Sequence, residues 1–314
     1  MVPYQHFLLH FQPWQSVLLF LTYMYCMLFV GYFKMSGKVV HTIQNQHGTV
    51  IGIAALNDHL YVSSTKQIAV YCPTTFQFQQ HLNLQCGSCG IQSNTLPYCD
   101  TCSVYQPLQL LNMVGCSANN CLYTSEQTYH YICKIALGQN DSLSLWSLGG
   151  GSPQGLSVTS SHNLLVAPND ANYVYEYSTD GKLIRQINLQ PAGICSPVHA
   201  VQLSDDHYGV THQGPAHQFS IVSSDGQLVR SYRGDARDLN EPRGIAVDDG
   251  GRVFVADHHN NRILVINHKT LSAYPLRLPD YWTLDGPYSI LFDSVNKRLY
   301  IGEWNGGRVI CCKI

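Results

Sequence analysis

The chain is short of charge. Only 12% of its 314 residues are Asp, Glu, Lys or Arg, against roughly 25% in an ordinary soluble domain. Eighteen Lys and Arg stand against 20 Asp and Glu, leaving a net charge of -2. That balance excludes a strongly basic nucleic-acid binder and an acidic-tail protein. Beyond Lys38 there is no helix-period segment of useful length and no heptad run, which excludes a coiled coil. What is present is an ordinary apolar fraction of 45%, enough to build a core and to rule out global disorder. The length allows one large domain or two smaller ones. Twelve cysteines are more than packing needs.

Residues 14–33 carry no charge. Twenty residues at ~1.5 Å rise span ~30 Å, the thickness of a bilayer's hydrocarbon. A single-pass membrane anchor is one reading. Lys34 and Lys38 follow it and no Lys or Arg precedes it, so the rest of the chain would stay cytoplasmic. A cleaved signal peptide is another reading, although a basic n-region and a small-x-small site are lacking. In the third, Met35 is the true start, residues 1–34 are a spurious extension, and the protein is cytoplasmic.

Repeats organise the remainder. Pro153-Gln-Gly-Leu-Ser-Val, Pro197-Val-His-Ala-Val-Gln, Pro242-Arg-Gly-Ile-Ala-Val and Pro287-Tyr-Ser-Ile-Leu-Phe begin 44, 45 and 45 residues apart. A polar turn and an apolar strand follow each of them. Val50-Ile-Gly-Ile-Ala-Ala and Leu111-Asn-Met-Val-Gly-Cys start two earlier repeats without the proline. Third strands are expected at 67–71, 129–135, 173–177, 218–222, 262–267 and 308–313. Fourth strands are expected at 79–84, 143–148, 183–189, 228–232 and 273–278. Ser178-Thr-Asp-Gly181 and Ser223-Ser-Asp-Gly226 are strong turn signals between third and fourth strands. Four short strands repeated six times predict an all-β, six-bladed propeller of four-stranded antiparallel blades over residues 38–314. The sixth repeat lacks a fourth strand, while Lys38–Ile43 is an orphan. This N-terminal strand is expected to complete the last blade and close the ring, which removes unpaired edges.

The repeat Leu239 to Leu278 contains Pro242-Arg-Gly-Ile-Ala-Val-Asp248 and Val255-Ala-Asp257-His-His-Asn260-Asn261-Arg262-Ile263. It is similar to the NHL repeat, named for its Asn-His-Leu-type consensus. The likeness is most specific here and in the last blade. In that family an acidic residue ends the second strand and a basic residue opens the third. Asp257 with Arg262 and Glu303 with Arg308 occupy those places, and opposite charges there can hold a blade together. Glu126, Pro168 and His212 mark the same place in decayed form.

The repeats isolate an insertion. Val50 to Leu111 is 61 residues, whereas Leu111 to Pro153 is 42. The excess falls in a Cys-rich segment, 85–107, with Cys86, Cys89, Cys99 and Cys102 spaced as CxxC, nine residues, CxxC. Four thiolates so arranged can hold a structural Zn²⁺. Disulfides and free thiols are the alternatives. Cys116 and Cys121 flank a four-residue turn and can meet. Cys133 and Cys195 read as near-core residues. Of Cys311 and Cys312, which point to opposite faces of one strand, only one is expected to be buried.

In a propeller the loops between second and third strands share one face with the connections between blades. His212, His258, His259, Asn260, Trp304 and Asn305 lie on that expected binding face. Its aromatic and histidine side chains suit a protein or peptide ligand. The expected function is a non-catalytic interaction scaffold, built as a monomeric propeller. RNA binding, known for some NHL propellers, is disfavoured: Lys66, Arg243, Arg262 and Arg308 are too few cations. A metal-dependent enzyme is a weaker reading. Six-bladed propellers resembling this one include an amidating lyase and lactone hydrolases, and His212, His217, His258 and His259 can supply nitrogen ligands. NHL propellers also end tripartite-motif ubiquitin ligases. RING, B-box and coiled-coil sequences are not found in this sequence, so a role as a ubiquitination adaptor rests on family analogy alone.

Overall fold

The first strand of each repeat lies innermost, and the strands that follow step outward. The computed structural model describes residues 37–314 apart from 46–47, 65–66, 83, 87–91, 94–109, 129, 139–140, 205, 215 and 233–238. Six antiparallel blades follow in chain order. The first contains Gly52–Leu56, His59–Ser63, Ile68–Tyr71 and Phe78–His81. The second contains Leu110–Cys116, Cys121–Glu126, Tyr131–Ala136 and Ser142–Ser147. The third runs Pro153–Val158, Leu164–Pro168, Tyr173–Tyr177 and Leu183–Asn188. The fourth runs Cys195–Ser204, His207–Gly214, Gln218–Ser223 and Leu228–Tyr232. The fifth runs Pro242–Val247, Arg252–Asp257, Arg262–Asn267 and Ala273–Pro275. The sixth is Pro287–Asp293, Arg298–Glu303 and Arg308–Lys313, completed on its outer edge by Lys38–Gln44. The N-terminal strand therefore closes the ring.

Inner and middle strands read as continuous apolar runs because neighbouring blades cover both of their faces. Val253, Phe254, Val255 and Ala256 are all fully buried. The core is accordingly divided into layers between blades. Ile51, Tyr61 and Ile68 of the first blade meet Leu110, Leu122 and Ile135 of the second. Leu165 and Val174 of the third meet Tyr208 and Val222 of the fourth. Outer strands lose this cover, and Leu183, Ile184, Leu228 and Val229 are exposed.

The same cover overturns the expectation that one of Cys311 and Cys312 faces solvent. Both are buried. Alternation predicts one exposed face only when a sheet has a wet side, and a middle strand of a blade has none. Cys195, by contrast, is exposed, and Cys133 is buried with its thiol pushed up to about 12 by desolvation. Cys116 and Cys121 face each other in register across their turn as free, buried thiols. Two fourth strands are shorter than expected, at Phe78–His81 and Ala273–Pro275.

The turns explain the remaining register. Ser178 and Ser223 each use their hydroxyl to accept the N–H four residues on, at 3.1 Å. Gly181 and Gly226 then take left-handed φ values of 85° and 82°. At Gly226 a Cβ would stand 1.7 Å from the Asn188 carbonyl oxygen, so only glycine fits.

The Cys-rich insertion begins as an outer extension of the second blade. Leu84–Cys86 pairs in parallel with Ser142–Ser147 and antiparallel with Gln92–Ser93, making that sheet six-stranded. Cys86 ends this added strand, while Cys89, Cys99 and Cys102 lie outside the described residues. Residues 14–33 lie outside them too. No helix among the described residues is long and apolar enough to cross a membrane.

Candidate functional site

The loop face is built by repeated acidic residues. Asp257, fully buried at the end of its strand, accepts from Arg262 Nε at 2.6 Å and from Asn260 Nδ2 at 2.9 Å. Its other oxygen accepts from the Asn240 backbone N–H at 2.8 Å. One carboxylate thus holds both the loop between its strands and the connection arriving from the fourth blade. Glu303 does the same in the sixth blade. It accepts from Arg308 Nε at 2.5 Å and Nη2 at 2.9 Å, and from the Asp285 N–H at 2.9 Å.

These anchors set up a cluster where the fifth and sixth blades meet. The His258 imidazole is buried and donates from Nδ1 to the Pro287 carbonyl oxygen at 3.3 Å. It packs edge-on against Tyr288 at 5.9 Å and beside His259 at 4.9 Å. Tyr288 in turn lies 4.8 Å from Trp304. The Arg243 guanidinium sits 5.3 Å from the Tyr288 ring centre, a cation–π contact. Glu241 accepts from Arg243 at 2.6 Å and lies 3.7 Å from His259 Nε2. Glu241 has a left-handed backbone, φ 50°, and its N–H donates to His217 Nδ1 at 3.1 Å. Burial, and next the Arg243 charge, hold the His258 pKa below its ordinary value. The Arg243 hydrogen bond and charge outweigh burial at Glu241 and hold its carboxyl below the usual range.

The expected face residues have separate fates. His258 and Trp304 pack on Tyr288, and His259 joins the group through His258. Trp304 is half-buried and also packs on the layer between the first two blades. Asn260 serves Asp257, and Asn305 donates to Asp285 Oδ1 at 3.2 Å. His212 is buried within its strand. It donates from Nδ1 to the Gly214 carbonyl at 3.0 Å and accepts at Nε2 from Ser220 at 2.8 Å. Both nitrogens are therefore committed within the blade, and neither is left for a metal or a partner.

Below the face, the first strands line a channel cavity of about 310 Å³, walled by Met113, Leu156, Val201, Ile245 and Leu291 among others. A smaller crevice beside it is lined by Asn112, Gln154, His199, Arg243 and Tyr288. His199 escaped the sequence reading. It occupies the second position after the repeat proline, where the third and fifth blades have Gly155 and Gly244. A Cβ on Gly155 would meet the His199 ring at 2.4 Å, so that glycine makes room for the imidazole. The ring spans three blades, donating from Nε2 to Leu156 O at 2.8 Å and accepting at Nδ1 from the Ile245 N–H at 3.0 Å. A large polar residue where its repeat partners are small was the available signal.

Burial holds His199 and His212 down at about 4, against an ordinary 6.5. Between these values the unfolded chain binds protons that the folded chain refuses. Their contribution is therefore complete above pH 6.5 and is lost as pH falls from 6.5 toward 4. About 2 kcal/mol per histidine should be gone by pH 5. Urea unfolding at pH 7, 6 and 5 measures this, before most carboxylates titrate. Equal stability at all three values would contradict it.

Comparison with known proteins agrees with this architecture. The NHL-repeat family matches residues 239–266, the segment of the fifth blade that carries Asp257 and Arg262. Protein brain tumor of Drosophila melanogaster is 28% identical over 120 residues, covering 37% of this chain and 11% of that protein. The chain thus spans only a small part of this relative's length. Virginiamycin B lyase from Staphylococcus aureus shares the fold at 13% identity, covering 87% of this chain and 98% of its own, with a TM-score of 0.59. The WD40 β-propeller domain of Doa1 does so at 13% identity, covering 88% and 97%, with a TM-score of 0.58. These low identities carry the fold and no activity. With the repeat period, the closed ring and the family match in place, the chain is a six-bladed β-propeller whose fifth blade matches the NHL repeat.

Proposed function

We propose that the protein is a non-catalytic interaction scaffold that holds a protein or peptide on its loop face, centred on His258, His259, Tyr288 and Trp304. The observation that carries this reading is the aromatic and histidine cluster where the fifth and sixth blades meet. Aromatic anchors of this kind dominate protein interfaces. A phosphate backbone finds less there. Arg243, Arg262 and Arg308 each pair with a carboxylate of their own blade, so neutralising phosphates would mean breaking those pairs. A role in ubiquitination stays an analogy with tripartite-motif proteins. Zn²⁺ at Cys86, Cys89, Cys99 and Cys102 remains a separate proposal, supported by the spacing.

Affinity purification of four proteins tests the reading: wild type, His259→Ala/Asn305→Ala, the outer-rim variant Leu183→Ser/Ile184→Ser, and a variant with all four insertion cysteines changed to Ser. The face variant is expected to lose specific partners that the rim variant keeps. Identical partner sets for the wild type and the face variant would reject the loop face as the docking surface. Loss confined to the cysteine variant would move recognition to the insertion.

A further inference from the structure

We propose that Glu241, His258 and His259 form a site for a divalent transition-metal ion of the Zn²⁺ class, open on the loop face. Their ligand atoms all lie within 4.8 Å of one another. Among the described residues, no other group of three or more His, Cys, Asp or Glu side chains meets this closeness. The sequence suggested two of these histidines as ligands. It also suggested His212, whose two nitrogens are bonded within its blade, and His217, whose Nδ1 accepts from the Glu241 N–H, and it missed Glu241.

Each ligand is prepared by its neighbours. His258 donates from Nδ1 to Pro287 O, which leaves the lone pair on Nε2. A backbone carbonyl behind a metal-binding imidazole is the usual support that fixes its tautomer. Burial and the Arg243 charge favour the neutral ring, the form that binds metal. Glu241 is ionised, and its backbone is held by His217. His259 is half exposed, at 50% of its side chain, with Nε2 already 3.7 Å from the Glu241 carboxylate. Tetrahedral Zn²⁺ at ~2.0–2.1 Å from each ligand needs donor atoms ~3.3 Å apart. Metal binding would draw the His259 and Glu241 side chains inward to supply the contraction. Two imidazoles and one carboxylate suit Zn²⁺ or Co²⁺ and disfavour Mg²⁺ and Ca²⁺, which prefer all-oxygen sites. Three protein ligands leave a coordination position for water or for a donor from a docked partner. Arg243 competes for the Glu241 carboxylate and sets the affinity. The site does not depend on the docked partner being a protein.

The test is Co²⁺ titration of the full chain, followed by visible absorption and by competition with Zn²⁺. Co²⁺ here should give ligand-field bands without a thiolate charge-transfer band, which separates this site from the cysteine insertion. His259→Ala and Glu241→Gln should each weaken binding tenfold or more. Arg243→Gln should tighten it severalfold, an effect that general damage to the fold would not produce. His259 is exposed enough that its variant should keep the wild-type melting temperature. The signal should survive replacement of Cys86, Cys89, Cys99 and Cys102 by Ser. A Co²⁺ spectrum and affinity unchanged by His259→Ala and Glu241→Gln would overturn the site. So would loss of all bound metal in the four-serine variant, provided its melting temperature is unchanged.

Discussion

A chain that begins at Asn45 is expected not to fold cooperatively. The missing strand, Lys38–Gln44, pairs along its length with Arg308–Lys313, from Lys38 opposite Lys313 to Gln44 opposite Arg308. Ile43 is buried in the layer between the sixth and first blades. His41 stacks on Phe76 of the first blade at 4.3 Å. Gly37 N–H reaches back to the Arg277 carbonyl at 2.9 Å, and Asn45 N–H to Gly307 O at 2.9 Å. The strand therefore ties the last blade to both neighbours. Each ladder hydrogen bond contributes ~1 kcal/mol net. Losing the row, with its buried side chains, approaches the ~5–15 kcal/mol that holds a whole domain together. The truncation also bares a strand edge, which invites aggregation. Circular dichroism melts of chains starting at residues 37 and 45 make the comparison. A cooperative transition at the same temperature in both would show that the ring closes without this strand.

The second large effect is expected at the buried carboxylates. Arg262→Ala leaves Asp257 fully buried without its counter-ion, and Arg308→Ala does the same to Glu303. An uncompensated buried charge costs about 3–5 kcal/mol. The loss should spread, because each carboxylate also holds a backbone N–H of the connection entering its blade. Lys297→Ala is the matched control. Its partner Asp249 is 52% exposed, and an exposed pair of that kind contributes ~0–1 kcal/mol. Urea midpoints of the three variants should separate into two large shifts and one negligible one. Three equal shifts would place all these pairs at the surface in energetic terms.

Much of the fold was legible because a propeller is written as a period. Prolines 44 and 45 residues apart, apolar strands between polar turns, and the two Ser-x-Asp-Gly turns each carry local information. The orphan strand at Lys38 was legible by subtraction, since the last repeat was one strand short. Burial was less legible. Alternation along Cys311 and Cys312 implied a wet face that the stacked blades do not have. The insertion announced its presence but not its place, since the parallel pairing of Leu84–Cys86 with Ser142–Ser147 joins segments nearly 60 residues apart.

The site divides along the same line. The sequence by itself determined the blade count, the turns, and the recurrence of an acidic and a basic residue five positions apart at Asp257–Arg262 and Glu303–Arg308. Those features are short-range, and the backbone reads them locally. Only the tertiary structure decided that Glu241 meets His258 and His259, that Tyr288 bridges His258 and Trp304, and that His199 fills the space over Gly155. Glu241 meets the two histidines through the pairing of Pro242 with Asp257 within the fifth blade, whereas the Tyr288 and His199 contacts join different blades. Their meeting depends on how closely neighbouring blades pack around the axis, which no single repeat specifies. His212 makes the point in reverse. It shares its repeat position with Asp257 and Glu303, yet burial and two hydrogen bonds turn it inward.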